Sequence, residues 1–194
     1  ILDVRSENDF VKGHIPNSIF IGIQGNFAPW VGALIRDVQQ PLLLIIPDGK
    51  EEETVTRLSR VGFDGVLGYL KGGFDSWKEA GKEVATIKSI APTQFAEEFN
   101  ETSVVVDARK PGEFSAERVE KAINIPLDNV NERFKEMPEE TFYLHCAGGY
   151  RSVIMASILK SRGIHNLINV EKGMSGIRET NVPITKFVCP STLA

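Results

Sequence analysis

Short, unbroken apolar runs alternate along the chain with polar stretches whose apolar residues recur at helical spacing. Leu42-Leu43-Leu44-Ile45-Ile46 and Phe142-Tyr143-Leu144 are continuous rather than alternating, the pattern of strands buried on both faces of a parallel sheet. Between such runs the sequence predicts helices over residues 52–61, 74–80, 94–100 and 152–161. Glu51, Glu52 and Glu53 suit the positive end of a helix dipole. Pro92 suits a first helical turn, and Phe95 and Phe99 share one face four residues apart. Gly62, Gly81 and Gly163 fall where helices should end. Strand and helix in alternation predict an α/β fold.

The pattern runs through the chain twice. Ile1-Leu2-Asp3-Val4-Arg5 returns as Val104-Val105-Val106-Asp107-Ala108-Arg109, aligning Asp3 with Asp107 and Arg5 with Arg109. Phe10 aligns with Phe114, and Ser18-Ile19-Phe20-Ile21 with Ala122-Ile123-Asn124-Ile125. Arg60-Val61-Gly62-Phe63 matches Arg162-Gly163-Ile164, and Lys71-Gly72-Gly73-Phe74 matches Glu171-Lys172-Gly173-Met174. A period of roughly one hundred residues is a duplicated domain, not a solenoid. Residues 85–90 read as the linker.

Composition narrows the function classes. With 22 Lys+Arg against 26 Asp+Glu the balance is slightly acidic, which argues against nucleic-acid binding. The longest apolar run, residues 42–46, is far too short for a membrane span. His14, His145 and His165 are too widely spaced to outline a metal site, and no cofactor is expected. Two cysteines do not describe a disulfide framework, and no secretory signal is visible, so a reduced cytoplasmic compartment is expected.

The chemistry gathers at Cys146. Thr141-Phe142-Tyr143-Leu144-His145-Cys146-Ala147-Gly148-Gly149-Tyr150-Arg151-Ser152 reads as strand, short loop and helix start. A cysteine facing a helix N-terminus meets converging backbone N–H groups and the dipole, and Arg151 adds a positive charge. Such settings lower a cysteine pKa from about 8.5 to between about 3.5 and 7.5, which makes a nucleophile at neutral pH. Gly148 and Gly149 let the loop backbone turn inward. Two roles for Arg151 remain open: binding an anionic donor, or pairing with a carboxylate to buttress the loop. Tyr150 is placed at the pocket rim, where it would shape donor entry, or is an exposed aromatic without a role. His145 precedes the nucleophile on a strand, so its side chain should point away from the Cys146 face, as a core histidine. Asp107, Arg109 and Glu113 read as structural ion-pair residues.

The loop and its flanks resemble the active-site loop of the rhodanese (sulfurtransferase) superfamily. Cysteine phosphatases place five residues between Cys and Arg; here there are four, a narrower cradle that suits one transferred sulfur and disfavours phosphate. The resemblance implies two rhodanese-like domains, residues 1–86 and 90–189, each a parallel sheet flanked by helices, the first truncated at its N-terminus. It implies sulfur transfer from thiosulfate or a thiol persulfide to a thiol or other thiophilic acceptor through a Cys146 persulfide. Ala147, Gly148, Gly149, Tyr150, Arg151 and Ser152 would bind the substrate. Gly13-His14-Ile15-Pro16 is the family's hallmark turn; the second copy has Glu117-Arg118-Val119-Glu120 instead, and His14 reads as a turn residue without a chemical role. The first copy carries Ile46-Pro47-Asp48-Gly49-Lys50-Glu51 at its loop and no cysteine, so it is expected to be inactive. A non-catalytic interaction module is the alternative, and a cysteine phosphatase a weaker third.

Two further features bear on partners. Gly73-Phe74-Asp75-Ser76-Trp77-Lys78-Glu79-Ala80-Gly81-Lys82-Glu83-Val84, Thr86-Ile87-Lys88-Ser89-Ile90 and Phe27-Ala28-Pro29-Trp30-Val31-Gly32 resemble fusion proteins in which a metallo-β-lactamase-fold domain of the persulfide dioxygenase type precedes paired rhodanese domains. The resemblance, and an opening directly on a hydrophobic strand, lead us to expect such a domain upstream in the parent chain. Cys189 is a candidate resolving thiol for Cys146, or a plain tail cysteine.

Overall fold

The computed structural model describes residues 1–186. Strands and helices alternate along them, in two units: Ile1–Ile87 with Ser157–Ile164, and Lys88–Ala156 with the chain from His165. The first unit runs β1 (Leu2–Asp3), α1 (Glu7–Lys12), β2 (Ile19–Phe20), α2 (Phe27–Leu34), β3 (Leu42–Ile45), α3 (Glu51–Ser59), β4 (Val66–Tyr69) and α4 (Gly73–Glu79). Its strands form a parallel sheet in the order β2-β1-β3-β4.

The second unit runs β5 (Ser89–Ile90), α5 (Pro92–Glu98), β6 (Val104–Asp107), α6 (Pro111–Ala116), β7 (Glu117–Val119) and β8 (Ile123–Asn124). It continues through α7 (Val130–Arg133), β9 (Phe142–His145), α8 (Tyr150–Ser161, whose residues from Ser157 on are grouped with the first unit), β10 (Leu167–Val170), α9 (Gly173–Ile177) and β11 (Ile184–Lys186). Five strands are parallel in the order β5-β10-β9-β6-β8, and β7 pairs antiparallel with β11. The structure is therefore α/β, with parallel sheets flanked by helices. Among the described residues no helix is long and apolar enough to cross a membrane.

The repeat is a repeat of bonds, not only of letters. Asp3 accepts the Arg5 backbone N–H at 3.1 Å and the guanidinium at 2.6–3.1 Å, and Arg5 Nη2 reaches the Gly13 carbonyl at 2.8 Å. Asp107 accepts the Arg109 N–H at 2.9 Å and its guanidinium at 2.7–3.0 Å, and Arg109 Nη2 reaches the Glu117 carbonyl at 2.6 Å. In each copy a buried carboxylate at a strand end holds an arginine that staples down the chain eight residues later. Buried charges persist in this paired, fully hydrogen-bonded form. Asp107, Arg109 and Glu113 are all ion-paired, as the sequence suggests.

Two expectations need correction. Leu43, in the centre of the β3 run, is half exposed, so that strand is not buried on both faces. At the matching position Tyr143 packs edge-on against Phe95 of α5, centroids 4.8 Å apart. Among the described residues the first unit has no counterpart of β5 and α5, and Leu67 and Tyr69 on β4 are exposed as well. The second correction is the start of α8, at Tyr150 rather than Ser152. Tyr150 and Arg151 thus belong to the first helical turn. Gly62, Gly81 and Gly163 do lie just beyond helix ends.

His14 is the turn residue that the sequence suggests. It is buried, its Nδ1 lies 2.8 Å from the Phe10 carbonyl, its ring stacks on Phe10 at 3.9 Å, and its backbone exchanges two hydrogen bonds with Ala85. In the second copy the β7–β11 pairing takes this place, with Arg118 opposite Thr185. Burial pushes His14 down to about 4, because the enclosed ring disfavours the charged form. The unfolded chain binds a proton near pH 6.5 that the fold refuses until about pH 4. Stability therefore drains away as pH falls through that window, by up to about 3 kcal/mol from this residue. His14→Gln, which keeps an N–H for the Phe10 carbonyl, should flatten the fall in urea midpoint between about pH 6.5 and pH 4. An unchanged slope would remove His14 as its source.

Candidate active site

Cys146 follows β9 directly, and the loop 146–149 delivers the chain into α8. The thiol is buried, at 1% exposure, and the Gly149 N–H donates to its Sγ at 3.2 Å. Gly149 has φ +108°, a conformation that a side chain rarely adopts. Gly148 is different: it is exposed, and an added Cβ would meet open space. Of the two glycines, backbone geometry requires only Gly149.

The loop is held from behind by α9. The Met174 N–H donates to the Cys146 carbonyl at 2.7 Å, and the Ser175 N–H to the Ala147 carbonyl at 3.0 Å. In a planar trans peptide the C=O and the following N–H point in opposite directions. Fixing these two carbonyls on α9 therefore turns the N–H groups of Ala147 and Gly148 away from it. The approach needs the left-handed pair Lys172 (φ 57°) and Gly173 (φ 49°) just before α9. A Cβ on Gly173 would collide with the Cys146 carbonyl oxygen and lie 2.8 Å from its carbon. The Lys172-Gly173 step is the counterpart of Gly72-Gly73, at φ 76° and 58°. The sequence carried this signal as a repeat; its purpose, holding the loop, appears only in three dimensions.

The predicted site residues are brought together in the loop and the first turn of α8. Ala147 is half-buried, Tyr150 and Arg151 are half-buried in the first turn of α8, and Ser152 is buried with its hydroxyl donating to the Gly149 carbonyl at 2.9 Å. Arg151 makes a two-pronged ion pair with Glu113 of α6, at 2.7 and 2.8 Å. Of its two candidate roles the structure displays the buttress. Its charge is met by a carboxylate rather than presented alone to the sulfur. The guanidinium holds Glu113 down to about 2 and is itself pushed up by it. The Lys110 N–H also donates to Glu113, which ties α6 to its own start.

His145 is a core histidine, with Nδ1 3.1 Å from the Cys146 carbonyl oxygen. Cys189, and the end of the second domain at residue 189, lie outside the described residues. Among the described residues no group of three His, Cys, Asp or Glu side chains is placed to hold a metal ion. A cavity of about 370 Å³ lies elsewhere in the second unit, lined by Phe99, Glu120, Lys121, Val182 and Pro183 among others, and includes no residue of the loop.

The family model of the rhodanese-like domain matches residues 1–80 and again 91–180. The chain therefore belongs to the family of rhodanese-like domains, in two copies. YrkF of Bacillus subtilis (strain 168), named as a candidate sulfur carrier protein, is 30% identical over 107 residues, 54% of this chain and 56% of YrkF. The chain thus spans little more than half the length of that relative. The crystal structure of a rhodanese-related protein from Thermoplasma volcanium is 27% identical, covering 50% of this chain and 97% of that one at a TM-score of 0.46. The thiosulfate sulfurtransferase of Pseudomonas aeruginosa is 21% identical, covering 95% of this chain and 40% of that one at a TM-score of 0.43.

The support of the loop by α9 makes a contrast that stability measurements can check. Gly173→Ala adds a methyl where the Cys146 carbonyl stands and a side chain to a left-handed residue, and should cost at least about 2 kcal/mol. Gly148→Ala, in open space, should stay within about 0.5 kcal/mol of the parent. Urea unfolding of both variants measures the difference, and equal costs would refute the assigned roles.

Proposed function

We propose that the second domain, residues 90–189, is a sulfurtransferase acting through Cys146, and that the first, residues 1–86, is non-catalytic. The observation carrying this reading is the Gly149 N–H held 3.2 Å from Cys146 Sγ, in a loop whose first two carbonyls are drawn back onto α9. An anionic sulfur there meets amide dipoles rather than carbonyl oxygens. The first copy supports the asymmetry: Ile46 follows β3 as Cys146 follows β9, and it carries no nucleophile.

The reaction has two displacements. The Cys146 thiolate attacks the outer sulfur of thiosulfate or a thiol persulfide. The donor S–S bond breaks, sulfite or a thiolate leaves with the bonding pair, and Cys146 becomes a persulfide. An acceptor thiol, sulfite or cyanide then attacks the terminal sulfur, and Cys146 departs as thiolate. Amides of Ala147, Gly148, Gly149, Tyr150 and Ser152 hold the charge of the extra sulfur, while Arg151 keeps loop and α6 together through Glu113. The loop spacing, one residue below that of a cysteine phosphatase, supports sulfur over phosphate as cargo. The resemblance of residues 27–32 and 73–90 supports a metallo-β-lactamase-fold neighbour in the parent protein, and two cysteines that describe no disulfide framework support a reduced, cytoplasmic setting.

A second reading, a non-catalytic interaction module, is favoured by one observation: the thiol is 1% exposed. Intact-protein mass spectrometry separates the two. After brief exposure to thiosulfate, or to glutathione persulfide, the chain should gain one sulfur that maps to Cys146 and is absent in Cys146→Ser. Absence of the added sulfur with both donors would sink the sulfurtransferase and leave the module. Robust hydrolysis of an aryl phosphate would instead favour the phosphatase.

A further inference from the structure

His145 is completely buried, and its two ring nitrogens have opposite surroundings. Nδ1 lies 3.1 Å from the Cys146 carbonyl oxygen, which can only accept, so Nδ1 carries the hydrogen. In the neutral ring Nε2 is then a bare lone pair, and it has no hydrogen-bond partner. It faces Asp107 Oδ2, another acceptor, at 3.8 Å. A buried lone pair set against a carboxylate oxygen is an arrangement that folded chains avoid. A proton on Nε2, with a shift of about 1 Å, turns the same contact into a charge-assisted hydrogen bond.

The charges around the ring restrict what it can do. From β6 and the residues after it come Asp107 and Arg109, already paired with each other at 2.7 Å. From its own strand end comes Cys146. Helix α9, which shares the Cys146 carbonyl with the ring, carries no titratable side chain from Gly173 to Ile177. Burial pushes His145 below its ordinary value, Asp107 pulls it back up, and Arg109 adds to the lowering. With Asp107 and Arg109 paired to each other, the remaining ionisable group next to His145 is the thiol of the following residue, Cys146, whose carbonyl oxygen the ring meets.

We propose that His145 is a positioning residue that takes up a proton at Nε2 when Cys146 becomes an anion, thiolate or persulfide, and balances that charge from behind the loop. The proposal rests on the reading of Cys146 as the nucleophile. The step is an exchange of protons: the thiol releases one, Nε2 binds one, and the net charge of the site does not change. The imidazolium Nδ1–H then donates more strongly to the Cys146 carbonyl. That polarises the peptide whose other end is the Ala147 N–H, on the side turned away from α9.

Two readouts on the full chain test it. His145→Gln keeps an N–H for the Cys146 carbonyl but cannot hold a positive charge. Alkylation of Cys146 by iodoacetamide should be about tenfold slower in this variant than in the parent near pH 6.5, and agree within about twofold near pH 9.5. A rate loss of equal size at both pH values marks a structural defect and overturns the proposal, as does no loss at either. The second readout leaves the histidine untouched: a side-chain NMR titration of His145 in the parent and in Cys146→Ser. Coupling between two sites is reciprocal, so removing the sulfur anion should move His145 protonation to lower pH. An unchanged titration overturns the proposal. Sulfur loading from thiosulfate is measured separately, so a failure here is distinguishable from a failure of Cys146 as nucleophile.

Discussion

The site depends on one constraint: two successive carbonyls, of Cys146 and Ala147, must be taken up by the first amides of α9. A loop between a strand and a helix has several ways to satisfy its polar groups. If those carbonyls pointed at the sulfur, they would repel any anion formed there. Tying them to Met174 and Ser175 settles both matters together, because satisfying the oxygens on one side aims the N–H groups to the other. The cost falls on residues 172 and 173, which must be left-handed, and on Gly173 in particular, where a side chain has no room.

The duplicated framework shows which parts are structural. The Asp–Arg staple is kept in both copies down to the individual bonds, and so is the left-handed step before the helix that follows β4 or β10. At the strand end the copies differ: Ile46 in one, Cys146 in the other. A frame of paired buried charges and a glycine-dependent close approach can thus be maintained with or without a nucleophile in it. The Gly13-His14-Ile15-Pro16 turn belongs to the frame, since its bridge to Ala85 reappears in the second copy as the pairing of β7 with β11.

Much of this was legible in the sequence, for reasons that differ from element to element. Apolar runs and periodicity report burial, so strands and helices are found near where the pattern places them. The cysteine between a strand and a Gly-Gly turn is a local signal, and Gly149 carries the positive φ that such a turn needs. What the pattern could not report is pairing across the fold. Arg151 and Glu113 lie 38 residues apart, and neither residue type says whether the arginine faces a ligand or a carboxylate. The exposure of Leu43 is likewise a matter of which helix covers the sheet, which a run of five apolar residues cannot encode.

The pairing of Arg151 changes the electrostatic account of the loop. With its guanidinium shared two-pronged by Glu113, Arg151 enters as an ion pair, as Arg109 does with Asp107. On the proposed reading, a sulfur anion held there would be stabilised by fixed dipoles at short range, led by the Gly149 N–H. Dipoles fall off faster with distance than full charges, so they favour charge localised on one atom within the loop over charge spread across a larger anion. The Ala147 and Gly148 amides are also oriented before any substrate arrives, because the bonds from α9 fix their peptides in the resting fold. A persulfide places its charge on the single terminal sulfur next to Sγ, whereas a phosphate spreads it over several oxygens, so a short loop of aimed amides suits the smaller cargo.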